Sequence, residues 1–329
     1  MQKRRILVTG GAGYVGSHLV RKLLSRGYAV RVLDSLLFGD ASVRELSENA
    51  DFELMKGDIR HIEDVVQSME DCYGVLHLAG IVGDPACELK PDVTHAINYE
   101  ATKIMVEISK YKGIKRFVFA STCSVYGAAD DYVLNEGSVL NPVSLYAETN
   151  LRSEQIILRG FNGTDVVSSI MRLATVFGAS YRMRFDLVVN ILTAKAVNER
   201  KIKIYGGKQW RPNVHVEDVA EAAITLLEVD ASSVDREIFN IGSNEQNYRI
   251  AQLGDIVRQC IPGTQVETVS ESPDPRSYNV SFDKARHVLG YRVGRTVKSG
   301  VLEIEKMFKA GLIENFLDDI YYNVKYRYK

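Results

Sequence analysis

Cysteine is scarce in this 329-residue chain, and its four copies, Cys72, Cys87, Cys123 and Cys260, are scattered without CxxC or histidine-rich spacing. Neither a zinc site nor a disulfide framework follows from that pattern, so no metal is expected and a reducing cytoplasm is the expected setting. A charge excess is also missing. With 41 Lys+Arg against 42 Asp+Glu there is no overall field to hold a polyanion, which excludes nucleic acid as a partner on electrostatic grounds. Long apolar runs are absent as well: Ile6-Leu7-Val8 after the basic start is too short for a signal-peptide core or a membrane span. A soluble protein without membrane contact is expected, and the chain shows no internal repeat or low-complexity segment.

What remains is an ordinary globular composition, 46% hydrophobic and 25% charged, long enough for one large domain and a smaller appendage. Short β-branched runs predict strands at 5–8, 29–33, 52–56, 74–78, 116–120 and 166–172, with helical patterns between them, as βαβ units require. Val15, Leu19, Leu23 and Leu24 form one helical stripe ended by Gly27; Ile97, Ala101, Ile104 and Ile108 line a helix over 94–111 ended by Gly113. Residues 1–177 are expected to form the nucleotide-binding domain and 178–329 mainly a smaller substrate lobe. Segments near 202–230 and 238–242 should return to the first domain, with 202–205 and 238–241 as strands rejoining its sheet. The basic, aromatic tail 321–329 reads as a packed or frayed terminus.

Between the first strand and first helix stands Thr9-Gly10-Gly11-Ala12-Gly13-Tyr14-Val15-Gly16. Glycines there let backbone amides approach a pyrophosphate, and the helix N-terminus favours the anion. Asp34, ending the second strand, can accept both ribose hydroxyls of an adenosine and would repel a 2'-phosphate, which favours NAD over NADP, with Arg31 and Arg44 as the contrary signal. Asp58 after the third strand suits contact with the adenine amino group; its alternative is a turn cap. The fold class is α/β, a Rossmann-type doubly wound parallel sheet with a smaller C-terminal lobe.

These residues, with His77-Leu78-Ala79-Gly80, Asn98, Ser121 to Gly127, Tyr146, Arg211 with His215 to Asp218, and Asn240-Ile241-Gly242, resemble the extended short-chain dehydrogenase/reductases that modify nucleotide sugars. The resemblance covers nearly the whole chain. It implies cofactor contacts from Gly10, Gly13, Tyr14, Val15, Gly16, Asp34, Asp58, Ile59, Leu78, Ala79, Gly80, Asn98, Tyr146 and Asn150. It also implies that Tyr146 is the acid/base and Thr122 its hydroxyl partner. The chain departs from the family's YxxxK pattern, since Asn150 stands where the lysine should be. An amide four residues on still shares the helix face and can reach the nicotinamide ribose, but it supplies no charge to lower a phenol whose ordinary pKa is about 10. Slower chemistry, a substituted cation, or a non-catalytic NAD-binding protein are the three consequences; Arg152 points to another helix face.

Related dehydratases and decarboxylases carry carboxylates near the threonine; here Cys123 and Ser124 stand there, which disfavours elimination. The pair resembles that of C4 epimerases, so the resemblance implies an epimerase acting by transient oxidation at C4. The segment 172–190 is similar to a GDP-heptose C4 dehydrogenase, which makes a C4 dehydrogenase or reductase the rival. The implied substrate is a nucleotide-diphosphate sugar. Its contacts are expected from Gly83, Asp84, Thr122, Cys123, Ser124, Thr175, Asp186 and Leu187, and from the diphosphate-binding Arg211 and Arg276. Arg182 and Arg184 are evenly balanced between substrate contacts and surface ion pairs. His215 reads as a cap or packing residue. A homodimer through helices 94–111 and 146–159 is expected by analogy.

Overall fold

A computed structural model describes residues 3–270, 274 and 276–325. Seven strands form the main sheet: β1 (Arg5–Thr9), β2 (Ala29–Asp34), β3 (Phe52–Lys56), β4 (Cys72–His77), β5 (Arg116–Thr122), β6 (Val167–Leu173) and β7 (Glu237–Ile241). Their order is β3-β2-β1-β4-β5-β6-β7 and every pairing is parallel. Parallel strands need both faces covered, which is why β1 carries the apolar run Ile6-Leu7-Val8 and almost every residue of β1 and β6 is buried, the two serines and the arginine of β6 included. The order reverses between β1 and β4, and in open α/β sheets that switch point opens a crevice at the strands' carboxyl ends.

The helices that shape this crevice are α1 (Gly16–Ser25), α2 (Asp84–Leu89), α3 (residues 91–111), α4 (Leu145–Gly160) and α5 (Val216–Glu228). Gly27 and Gly113 take φ of 82° and 66° just beyond α1 and α3, the left-handed conformation that ends a helix at low cost. α3 starts earlier than residue 94 and contains a π turn, Ala96–Glu100, around Asn98. That widened turn directs the Asn98 carbonyl to the hydroxyls of Thr102 (3.0 Å) and Ser153 (2.7 Å).

β7 returns to the sheet edge beside β6, and α5 packs on α1, with Lys22 paired to Glu217 and Glu221. The expectation for 202–205 needs correction. The strand Lys201–Tyr205 pairs in parallel with Gln265–Val269 in a separate two-stranded sheet, burying Ile202 and Ile204 against the helix Ile250–Cys260. A third sheet joins Thr175–Phe177, Trp210–His215 and Asn247–Arg249. After the helix Val297–Lys309, residues 313–325 fold back: Ile313 and Phe316 pack with Phe185 and Tyr14, and the Tyr321 carbonyl accepts from the Phe185 N–H. The remainder of the tail, 326–329, lies outside the described residues.

Candidate active site

One cavity of about 800 Å³ runs along the carboxyl ends of the sheet. At one end lies the loop between β1 and α1. Gly10 has φ 71° and places its α-carbon against Ala79: a Cβ there would lie 3.0 Å from that backbone. Gly16 meets the same loop more tightly, with an added Cβ 2.2 Å from the Gly10 carbonyl oxygen. Thr9 fastens the loop to the end of β4, its hydroxyl accepting from the Ala79 N–H (3.1 Å) and bonded to the His77 ring (2.7 Å). His77 therefore supports the floor of the cradle, and its burial lowers its pKa to about 4.

Asp34 faces the same space, accepting from the N–H groups of Ala12 (3.0 Å) and Leu36 (2.8 Å); burial raises its pKa and these bonds oppose the rise. Arg31 turns away from the cavity, to Glu53 and the carbonyls of Ser68 and Glu70, and Arg44 pairs with Asp40 at the surface. Neither weakens the preference for an unphosphorylated ribose. Asp58 lines the cavity beside Ile59 and also caps its own turn, accepting from Arg60 at backbone and guanidinium. A glycine loop at a helix start and a carboxylate ending the next strand are the donor and acceptor chemistry that a dinucleotide needs, so the residues present fit NAD.

At mid-cavity, Tyr146 enters from the first turn of α4, whose N-cap Ser144 accepts from the Ala147 N–H and donates to Asp84 (2.6 Å). Thr122 at the end of β5 lines the same cavity. Burial, with Cys87 and Asp84 nearby, raises the Tyr146 pKa well above its ordinary value; the charge of Arg184 and the Thr122 hydroxyl act downward. Thr122 also contacts Ser124 (3.1 Å), and Ser124 touches the Tyr278 hydroxyl (3.3 Å).

The far end is built by the third sheet and its loops. Arg211 and Arg276 converge on Asp274 (2.7 and 2.8 Å), and Arg276 also pairs with Asp84. Despite burial, these two guanidiniums hold the Asp274 carboxyl far below the ordinary range. Thr175, Asp186, Leu187 and Gly83 line the same region. Arg182 and Arg184 are buried rather than at the surface: Arg184 forms a two-point pair with Asp186 (2.9 and 3.0 Å), and Arg182 lies 3.6 Å over the Phe38 ring.

Three expected contact residues stand outside the lining. Cys123 is fully buried behind β5 with its thiol donating to the Arg172 carbonyl, so it borders no sugar. Asn98 spends its amide on both polar groups of Ile81 (2.7 and 2.9 Å), holding the loop after β4 from behind. Asn150 donates to the carbonyl of Tyr146 (2.8 Å), so its amide is turned back along the helix instead of toward a ribose. His215 caps α5 and pairs with Glu303 (2.8 Å), away from the cavity. Contributors that sequence patterns missed are Tyr278, Lys195 and, from the tail, Asn323 and Val324. Among the described residues no His/Cys/Asp/Glu cluster could hold a metal, and no helix is long and apolar enough to cross a membrane.

The chain is similar to known proteins over most of its length. A UDP-glucose 4-epimerase of Lacticaseibacillus casei is 31% identical over 312 residues, 87% of this chain and 91% of that protein. UDP-glucuronic acid decarboxylase 1 of Arabidopsis thaliana is 29% identical over 318 residues, 94% of this chain and 70% of its own length. The structure of a UDP-glucose 4-epimerase from Thermotoga maritima with UDP-glucose superposes with a TM-score of 0.83 at 27% identity, covering 94% of this chain and 99% of that one. MoeE5 in complex with UDP-glucuronic acid and NAD gives 0.81 at 27%, covering 93% and 99%. Residues 6–242 match the NAD dependent epimerase/dehydratase family. The chain therefore belongs to that family, within its nucleotide-sugar group of extended short-chain dehydrogenase/reductases, and NAD is its cofactor.

Proposed function

We propose that this protein is a nucleotide-sugar epimerase that works by transient oxidation at C4 of a nucleotide-diphosphate hexose. The observation that carries the reading is that Tyr146 and Thr122 line one cavity with the glycine loop and with Arg211 and Arg276, which converge on Asp274. Residues 1–177 hold the cofactor and residues 178–329 supply most of the substrate contacts. NAD, when bound, supplies a hydride acceptor that can also return the hydride. Tyr146 as phenolate takes the C4 hydroxyl proton while Thr122 donates to the same oxygen; Tyr146 returns the proton after the sugar has presented its opposite face. Arg211 and Arg276 offer two guanidinium forks to the diphosphate, exchanging their present aspartate partner for phosphate oxygens.

Net elimination is disfavoured because the positions beside Thr122 are Cys123, which is turned away, and Ser124. The nearest lining carboxylates are already engaged, Asp84 by Arg276 and Ser144, Asp186 by Arg184. The test is to release and identify the nicotinamide from denatured protein. Native protein is then incubated with UDP-, GDP- and dTDP-hexoses while NADH absorbance and product stereochemistry are followed. An inverted sugar without net NADH is expected. Stoichiometric NADH or an accumulating keto sugar refutes epimerisation in favour of a C4 dehydrogenase, and bound NAD with no product across the panel favours a non-catalytic protein.

A further inference from the structure

We propose that Arg184 is the fixed positive charge that serves the Tyr146 phenol, held in place by Asp186 and by Asn323 of the carboxyl-terminal segment; the inference rests on Tyr146 being the acid/base. A phenol closed off from water ionises only where a cation or donor stabilises the anion. The helix bearing Tyr146 provides none: Asn150 is committed to the Tyr146 carbonyl, and Arg152 is half-exposed, paired with Glu148. Of the cations on elements packed against this helix, Arg172 is paired with Glu154, Lys103 with Glu100 over the Tyr99 ring and Lys110 with Glu107, while Arg116 starts β5 at the end away from Thr122 and donates to the Val229 carbonyl. On the side of α2, the groups bearing on the phenol are Asp84 and Cys87, which oppose ionisation.

Arg184 approaches from another part of the chain, the loop between Thr175–Phe177 and the helix Val188–Glu199. It lines the same cavity as Tyr146, with one terminal nitrogen 4.0 Å from where a Gly83 Cβ would stand, and its charge acts directly on the phenol. The guanidinium is held rather than free to swing. Asp186 grips it at two points and accepts from the Asn323 N–H (3.3 Å). Asn323 donates to the Val82 carbonyl (3.2 Å) and accepts from Arg182 (2.8 Å). Its neighbour Val324 packs in the same apolar cluster as Tyr146. A charge preorganised in this way costs no reorganisation when the phenolate forms.

The decisive experiment follows the Tyr146 phenol itself, by the ring-carbon resonance of labelled tyrosine in the NAD-loaded protein from about pH 8 to the alkaline limit of the fold, comparing the phenolate fraction at each pH, with Tyr146→Phe to assign the signal. Arg184→Gln is expected to move that titration to higher pH, and Arg184→Lys to return most of the way. Asp186→Asn, which strips the counter-charge and keeps the shape, is expected to move it to lower pH. In turnover, Arg184→Gln should lose at least roughly tenfold at pH 7 and recover as pH rises, because a unit charge within about 12 Å at an effective dielectric near 20 is worth that much or more. An unmoved phenol titration in Arg184→Gln overturns the proposal, as does an upward or absent shift in Asp186→Asn. Because the resonance needs no substrate, a wild-type protein inert toward every sugar nucleotide would refute the proposed function while leaving the role of Arg184 decided.

Discussion

The pair Arg172–Glu154 offers the sharpest stability test, because it fastens the helix carrying Tyr146 to β6, the sheet neighbour of the strand carrying Thr122. Both side chains are only 2% exposed and meet through two bonds, 3.0 and 2.7 Å. Glu154 also accepts from Ser121, one residue before Thr122, while Arg172 donates to the Tyr126 hydroxyl, which in turn donates to Asn240 on β7. Glu154→Gln keeps the shape and one acceptor but strands a buried guanidinium. Breaking such a pair costs about 3–5 kcal/mol, and the retained acceptor places this variant near 3. For a chain of this size that corresponds to a fall in Tm of about 4 °C, read by calorimetry together with the urea midpoint. The double variant Glu154→Met with Arg172→Met removes both charges and is expected to lose far less than the sum of the single changes. A Glu154→Gln protein within about 1 kcal/mol of wild type refutes the clamp.

Gly16→Ala brings a methyl carbon to 2.2 Å from the Gly10 carbonyl oxygen and 2.6 Å from the Gly11 α-carbon. The backbone cradle has to open, so NAD affinity by calorimetric titration should fall by roughly a hundredfold, about 3 kcal/mol; a loss under threefold is incompatible with a tight cradle. His77 is buried and neutral with its pKa lowered to about 4, so between the ordinary value near 6.5 and about 4 the unfolded chain binds the proton that the folded one refuses. Stability should therefore fall as pH falls through that window, by about 3 kcal/mol from this group, and His77→Gln should flatten the slope in urea titrations. We also propose a homodimer through α3 and α4. Sedimentation should give twice the 36.8 kDa chain mass, and Leu158→Arg with Ile104→Glu should shift it to the monomer; a wild-type monomer at micromolar concentration ends that proposal.

The sheet was legible because parallel strands buried on both faces leave apolar runs in the chain, and the cradle was legible because its glycines answer a local backbone demand. The pattern at 201–205 also reads as a strand, exposed and buried residues alternating, but alternation names a face and not a partner, so its pairing with 265–269 was hidden. Motif position likewise placed Cys123 and Asn150 on the right elements without fixing where they point. The Cys123 thiol satisfies the Arg172 carbonyl, and the Asn150 amide finds an acceptor in its own helix four residues back, a contact available to any asparagine there.

The basic pair Arg182 and Arg184 shows what spacing cannot decide. Two arginines beside an aspartate read equally as a solvated surface cluster or as a buried cation site, and the difference lies in what covers them. Here the cover is Asn323, 137 residues beyond Asp186 in the chain, together with Val324. Only closure of the tail over the loop after Phe177 turns a local Arg-Asp pair into a desolvated one, and desolvation lets a single charge act on a neighbouring phenol with several times its strength in water. A site can thus lose the cation one helical turn from its tyrosine and keep the field, provided a distant segment supplies the low-dielectric wall. On this reading Asn323→Ala should weaken the same phenol ionisation that Arg184→Gln weakens, because Asn323 acts through Asp186, and in an Arg184→Gln background the change should have no further effect on it.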